Sequence, residues 1–279
     1  MEPSFNPAAV GKESKINVAA AYAMALSGFE NNPKTLYAGA DMPFRIGNGY
    51  HGVGAQFVSD DIGLFSHQKF AVQYAYQHKL FGGKIAAGVH LGMLSETFDG
   101  SEVDVEESDD PALPDESVSG TAFDIGLGVY YTHKNWYAGF SVMHLNAPTV
   151  EFEEQSYDIA ATYYLTGGYN IKLKNPFLTI HPSVLAFTDG TSYRVDISGR
   201  IQYTNDKKVM YAGVAYSPTN SVTLMVGGDF HGVSIGYSYE IYTSAISVTN
   251  GGHELFIGYQ TDINLGKKGR NKHKSVRIL

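Results

Sequence analysis

The sequence predicts an all-β protein, an antiparallel transmembrane outer-membrane β-barrel of about 14 strands. Three observations carry that expectation. Apolar and polar residues alternate with period 2 through most of the chain, as in Tyr193, Val195, Ile197, Ile201 and Tyr203 against Arg194, Asp196, Ser198, Arg200, Gln202 and Thr204. No run of 18 apolar residues exists, so no transmembrane helix is encoded. Charged residues make up 17% of the chain, below the roughly one quarter of an average soluble domain, while Tyr numbers 20 and Gly 31. A soluble sandwich would turn the apolar faces into a core; a membrane barrel turns them to lipid and keeps the polar faces for its lumen.

The strands follow in order. Ile16 to Met24 alternates and stops at Ser27-Gly28-Phe29-Glu30-Asn31-Asn32-Pro33, and Leu36 to Phe44 follows up to Gly47-Asn48-Gly49. Tyr50 to Ser59 is the third strand; the fourth sets Gln68, Phe70, Val72, Tyr74 and Tyr76 against Lys69, Ala71, Gln73, Ala75 and Gln77. Phe81-Gly82-Gly83 turns into Ile85 to Met93. Strand six alternates Phe123, Ile125, Leu127, Val129 and Tyr131 with Asp124, Gly126, Gly128 and Tyr130, and Trp136 to Val142 is the seventh. After a loop from Asn146 to Tyr157 come Asp158 to Ile171, Phe177 to Phe187, Ser192 to Thr204 and Val209 to Ser217. The last three are Val222 to Val226, Val233 to Tyr239 and Leu255 to Leu265. Each is near the nine to eleven residues that cross a bilayer at a tilt.

Connection lengths add an independent sign. With the N-terminus in the periplasm, the long breaks at Glu96–Ser119, Asn146–Tyr157 and Tyr242–Gly251 are all odd-numbered and face outside, while the even ones are short turns. Outer-membrane barrels keep their periplasmic turns short. The expected organisation is a periplasmic N-terminal segment (1–13), the barrel (14–265) and a basic periplasmic tail (266–279). Met1-Glu2-Pro3 opens with no basic or apolar leader, so an outer-membrane location implies a mature or trimmed chain.

Charge is placed in blocks. Ten acids and no Lys or Arg lie between Glu96 and Glu116, while Lys267, Lys268, Arg270, Lys272, Lys274 and Arg277 close the chain without an acid. The acidic stretch lacks the Asp-x-Asp-x-Asp-Gly spacing of a formed Ca²⁺ loop, so a solvated loop is expected. The basic tail suits docking to a periplasmic partner, and solubility alone also explains it. A sequence pI near 5.6 disfavours nucleic acid.

No chemistry-bearing motif appears. Cysteine is absent, the ten His are scattered, and there is no His-Glu-x-x-His, Gly-x-Ser-x-Gly or phosphate loop. Neither an enzyme nor a cofactor is expected, although a Ser and a His on adjacent strands could still form a lipase site. His90, His144, His181 and His253 lie at strand ends or lumen-facing positions, as hydrogen-bonded or interfacial residues. Asp124, Tyr164, Arg194, Asp196, Arg200, Gln202 and Asp262 fall on the polar face and are the candidate lumen contacts.

An ordered set of short motifs is similar to one family. Phe5-Asn6-Pro7-Ala8, Ser27-Gly28-Phe29 with Asn32-Pro33-Lys34-Thr35, Gly52-Val53-Gly54, Asp61-Ile62-Gly63, Tyr137-Ala138-Gly139-Phe140-Ser141 with His144-Leu145-Asn146, Gly168-Tyr169, Pro182-Ser183, Gly236-Tyr237-Ser238-Tyr239, Gly252-His253-Glu254 and Lys272-His273-Lys274-Ser275-Val276-Arg277 occur in order. The set resembles the PorP/SprF family of type IX secretion membrane proteins. Ala25-Leu26 stands where that family commonly has Gln-Trp before the first turn. The resemblance implies an outer-membrane barrel of Bacteroidetes-type bacteria. Such a barrel would work with periplasmic ring or lipoprotein components and export or surface-anchor secreted proteins such as gliding adhesins. A passive porin is the alternative that the residues leave open.

Overall fold

The computed structural model describes residues 2–100, 117–152, 156–218, 220–243 and 250–265. Its wall starts with β1 (Lys15–Met24), β2 (Lys34–Ile46), β3 (Gly49–Ile62), β4 (Phe65–Leu80), β5 (Gly83–Asp99), β6 (Ser117–His133) and β7 (Trp136–Met143). A short hairpin, β8 (Thr149–Glu151) and β9 (Ser156–Asp158), intervenes. The wall resumes with β10 (Thr162–Tyr169) and its short extension β11 (Ile171–Lys172), then β12 (Leu178–Thr188), β13 (Tyr193–Asn205) and β14 (Lys208–Ser217). It ends with β15 (Ser221–Phe230), β16 (Val233–Tyr242) and β17 (Gly252–Asp262).

Each strand pairs antiparallel with its chain neighbour, and β1 pairs with β17 from Lys15↔Asp262 to Met24↔His253. With β10 and β11 as one stave against β12, the sheet closes as a 14-strand antiparallel barrel. Closure satisfies the backbone groups of every edge, which lipid requires because it offers no hydrogen bonds.

The alternation resolves as a membrane protein's does. Phe70, Val72, Tyr74, Leu91, Met93, Phe123, Leu127, Ile197, Ile201, Leu255 and Ile257 are exposed on the outer surface. Gln56, Gln73, Gln77, His90, Glu96, Asp124, Ser141 and Thr166 are buried on the inner one. Rings gather near the strand ends: His51 packs between Phe44 and Tyr74, and Trp136 beside Tyr131, as amphipathic rings do at a membrane interface.

Phe81-Gly82 and His231-Gly232 form two-residue hairpin turns in which both residues have positive φ (47° and 76°; 56° and 91°). This is the turn whose twist matches that of paired strands. Among the described residues the connections on this side are short, and the hairpin β8–β9 lies on the other.

Three expectations change. Of residues 1–13, assigned to the periplasm from sequence, residues 6–11 are buried inside the barrel. The interruption expected from Glu96 to Ser119 is shorter, because β5 runs to Asp99 and β6 starts at Ser117, placing Glu96 in the wall. The segment Asn146–Tyr157 is partly ordered as the β8–β9 hairpin, and Asp158 belongs to that hairpin. The residues 266–279, including all six candidate docking cations, lie outside the described residues, as do most of the acids of the acidic stretch.

Candidate functional site

The lumen is occupied by the chain's own N-terminal segment. Two 3₁₀ turns, Glu2–Ser4 and Pro7–Ala9, fold residues 2–11 into a plug against β2 to β7. Asn6 caps the second turn, its Oδ1 accepting from Ala8 N at 3.0 Å, while Pro7 fills the first helical position. Ala8 and Val10 are 0% exposed and Asn6 is 1% exposed, so the plug has no free surface on the wall side.

Glycine in the wall makes room for it. A Cβ at Gly88 would collide with Pro7 and Ala8, one at Gly128 with Asn6, and one at Gly52 with Val10. These positions lie within a few residues of the short turns, so the plug sits in that end of the barrel.

The wall holds the plug mainly through its backbone carbonyls. Gln73 Nε2 donates to Pro3 O (2.7 Å), Gln77 Nε2 to Gly11 O (2.6 Å) and Ser141 Oγ to Phe5 O (2.6 Å). In return Asn6 Nδ2 donates to Val129 O (3.1 Å), and Gly11 N donates to Asp41 Oδ2 (2.8 Å). Each such bond contributes about 1 kcal/mol net. Glu2 pairs with Lys12 and accepts from the Tyr130 hydroxyl at 2.9 Å. Burial pushes the Glu2 carboxyl up, but the Lys12 charge and the hydrogen bonds from Lys12 and Tyr130 outweigh it and hold the group below the usual carboxylate range.

Above the plug, Asp124 is fully buried between two imidazoles. His144 Nδ1 lies 3.0 Å from Oδ1 and His90 Nε2 lies 3.2 Å from Oδ2. Gln73 bridges this group to the plug, its amide nitrogen 3.5 Å from His90 Nδ1 as well as on Pro3 O. At the far mouth the hairpin tucks in: Val150 is 0% exposed, and with the Glu151 carbonyl it fills the space a Cβ on Gly120 would need. A cavity of about 640 Å³ lies beneath it, bounded by Asp60, His67, Glu96, Phe152 and Tyr157, with His67 bonded to Glu96.

The candidate lumen residues separate into groups. Tyr164 stacks between Phe5 of the plug (5.7 Å) and Phe187 (5.5 Å). Arg194 binds Asp196 (2.9 Å) and reaches Glu240 of β16 (3.1 Å), past β14 and β15. Glu240 also accepts from Ser221. Arg200 covers the Tyr211 ring at 5.4 Å and borders, with His181, Glu2 and Lys12, a cavity of about 310 Å³ beside the plug. Gln202 donates to Thr204 (3.1 Å). Asp262 is exposed at the end of β17, opposite Lys15. These residues form no single constellation. Gln73, Gln77, Ser141 and the glycine floor were not singled out from sequence, although Gln73 and Gln77 sit on the polar face of β4 where such a role was open.

His181 contacts Asn170 (2.6 Å), and His253 contacts Tyr237 (2.7 Å). Among the described residues, no group of three His, Cys, Asp or Glu side chains could hold a metal ion.

The architecture is similar to that of several solved structures. Solved structures with a similar fold include the CymD monoaromatic hydrocarbon channel (TM-score 0.54, 12% identity, 90% of this chain and 89% of that one). The Pseudomonas putida toluene transporter TodX also matches (TM-score 0.51, 8% identity, 89% and 88%). So does a Pseudomonas aeruginosa FadL homologue (TM-score 0.50, 10% identity, 90% and 89%). At these identities the likeness is one of fold, and it agrees with an outer-membrane location. No curated protein sequence matches the chain. A family model described as type IX secretion system membrane protein PorP/SprF matches residues 2–259. Nearly the whole chain, plug and wall together, is thus accounted for by one family, and the protein belongs to the PorP/SprF family of type IX secretion system membrane proteins.

Proposed function

We propose that this barrel is a non-enzymatic gripping component of type IX secretion. It would help export secreted proteins, or anchor them at the surface, by holding an extended segment of a cargo or of a partner subunit. Gliding adhesins are the kind of cargo that the family suggests, and periplasmic ring or lipoprotein subunits the kind of partner. The observation that carries the reading is the plug. The lumen wall already holds a short peptide segment, folded as two 3₁₀ turns, through amide and hydroxyl groups directed at its carbonyls over a glycine floor. The opposite wall, with Arg194, Asp196, Arg200 and Gln202, offers polar side chains for a second segment.

Two other readings gain less. A passive porin needs an open lumen, and residues 2–11 stand in this one. An outer-membrane lipase needs an activated Ser, but Asp124 is flanked by two His rings, and Ser141, opposite Gly128 four residues further along β6, gives its hydroxyl to the Phe5 carbonyl.

The test is mild detergent extraction of the tagged barrel from outer membranes of its own host, wild type beside Arg200→Glu. Secretion subunits or a large surface protein recovered with wild type and depleted with Arg200→Glu, at equal barrel yield, is the expected result. A barrel reproducibly alone, with normal surface display in both strains, overturns the reading.

A further inference from the structure

Charge is distributed unevenly between the two mouths. At the short-turn end, Lys79, Lys84, Lys134, Lys172, Lys174 and Lys207 are all exposed, and none makes an ion pair among the described residues. The carboxylates at that end are few or already engaged: Glu2 is tied to Lys12, Glu13 lies 3.9 Å from Lys15, Asp41 accepts from Gly11 N and Asn17, and Asp229 accepts from Gly232 N, Ser234 and Gln260, leaving Asp206 and Asp262. The other mouth carries Asp61, Asp99, Glu151, Asp158 and Asp189, with Lys34 the one exposed cation of the described residues there.

Where the lysines point narrows what they meet. Lys79 and Lys84 are opposite each other in the β4–β5 ladder, and Lys84 is opposite Thr132 in β5–β6. All three continue the inward rows of Gln77, Ala86 and Tyr130, and Lys84 Nζ reaches the carbonyl of Lys12, where the plug leaves the lumen. Lys172 lies on the inward row as well, opposite Thr179, which is opposite Gln202. Lysines on the lumen side of a mouth are turned away from the ring of lipid headgroups outside it. They face whatever stands across the opening.

We propose that this mouth is a docking surface for an acidic face of a soluble periplasmic protein, seated over the exit of the plug. The proposal deepens the secretion reading and rests on its orientation, with the short turns in the periplasm. Unpaired cations cost the free barrel self-repulsion, and an acidic partner relieves it while gaining steered association. The partner also meets Lys12 and Lys84 where they hold the end of the plug, so its binding favours the plugged state.

The test places a photo-crosslinking residue at Thr132 of the full-length protein in its own host. It is read beside a second strain that also carries Lys79→Glu, Lys84→Glu and Lys172→Glu. Expected is one crosslinked soluble protein of acidic pI, reduced about tenfold by the charge reversals and retained when the three are Arg, at equal outer-membrane level. An adduct unchanged by the reversals, an adduct with lipid alone, or no adduct overturns the docking surface. Orientation is read separately with Lys134→Cys: labelling by an impermeant maleimide in intact cells would show the short turns outside and remove the reading on which the proposal stands.

Discussion

At the scale of single residues, the plug depends on side chains that are missing. Gly88 is the sharpest case, since an added Cβ would meet the backbone of Pro7 and Ala8, which has no flexible end to yield. Overpacking of this kind costs about 1–3 kcal/mol, comparable to two or three of the carbonyl bonds that hold the segment. Gly88→Leu therefore leaves the wall assembled and displaces the plug. In a variant carrying Ala8→Cys, thiol labelling of the purified barrel should speed up by about tenfold or more with Gly88→Leu; equal rates would mean that the plug accommodates the change.

Glu2 gives the plug a dependence on pH. Its carboxyl is held below the ordinary carboxylate value in the folded protein, so its contribution is present above about 4.5 and is lost as pH falls through the lowered folded value. Ion leak through the barrel in planar bilayers should rise on acidification below that point. With Glu2→Gln the leak should be raised already at neutral pH and change little with acid. A wild-type leak independent of pH would remove Glu2 from the account.

Among the elements, the β8–β9 hairpin is separable from the wall. Met143 and Thr162 are opposite each other in the β7–β10 ladder, so the segment between them is a detour that a short Gly-Ser linker replaces without moving either strand. Removing residues 149–158 uncovers the cavity beside His67 and Glu96 and frees Gly120. The shortened barrel should keep its heat-modifiable mobility on gels while its outer mouth admits larger solutes in a liposome-swelling assay. Loss of the folded band would show that the hairpin is needed for assembly.

The same elements show what a sequence of this kind discloses. All fourteen staves were legible, because lipid outside and water inside enforce period 2, and Gly, Asn and Pro mark the turns. Their lengths were not: β4 to β6 continue past the alternating stretch, where Ser66 and Ser95 continue the outward rows of Phe70 and Met93 with no lipid to avoid and only the ladder persists. The candidate lumen residues lie on the polar face, yet period 2 reports the face alone. It does not say that Arg194 would reach Glu240 three staves away, or that Asp124 would meet His90 and His144. The plug was the least legible part, since Phe5-Asn6-Pro7-Ala8 has no periodicity and Ser141, which holds it, is 136 residues away in sequence.

For the molecule as a whole, the plug decides whether this is a pore or a holder. Cavities of about 340 and 310 Å³ flank it, so deleting residues 2–12 would join them into one passage. The deletion removes no wall strand and breaks no ladder pair. It does leave Gln73, Gln77, Tyr130 and Ser141 facing water, which satisfies exposed polar groups at little cost. The expected result is a barrel that still assembles in the outer membrane, with single-channel conductance several-fold above wild type. Surface display of cargo separates the readings. If the opened barrel conducts and cargo is lost, the occupied lumen belongs to the secretion function. If it conducts and display is untouched, the grip lies outside the lumen. Wild-type conductance equal to that of the deletion would mean that the segment does not obstruct the lumen, and would return the passive porin to first place.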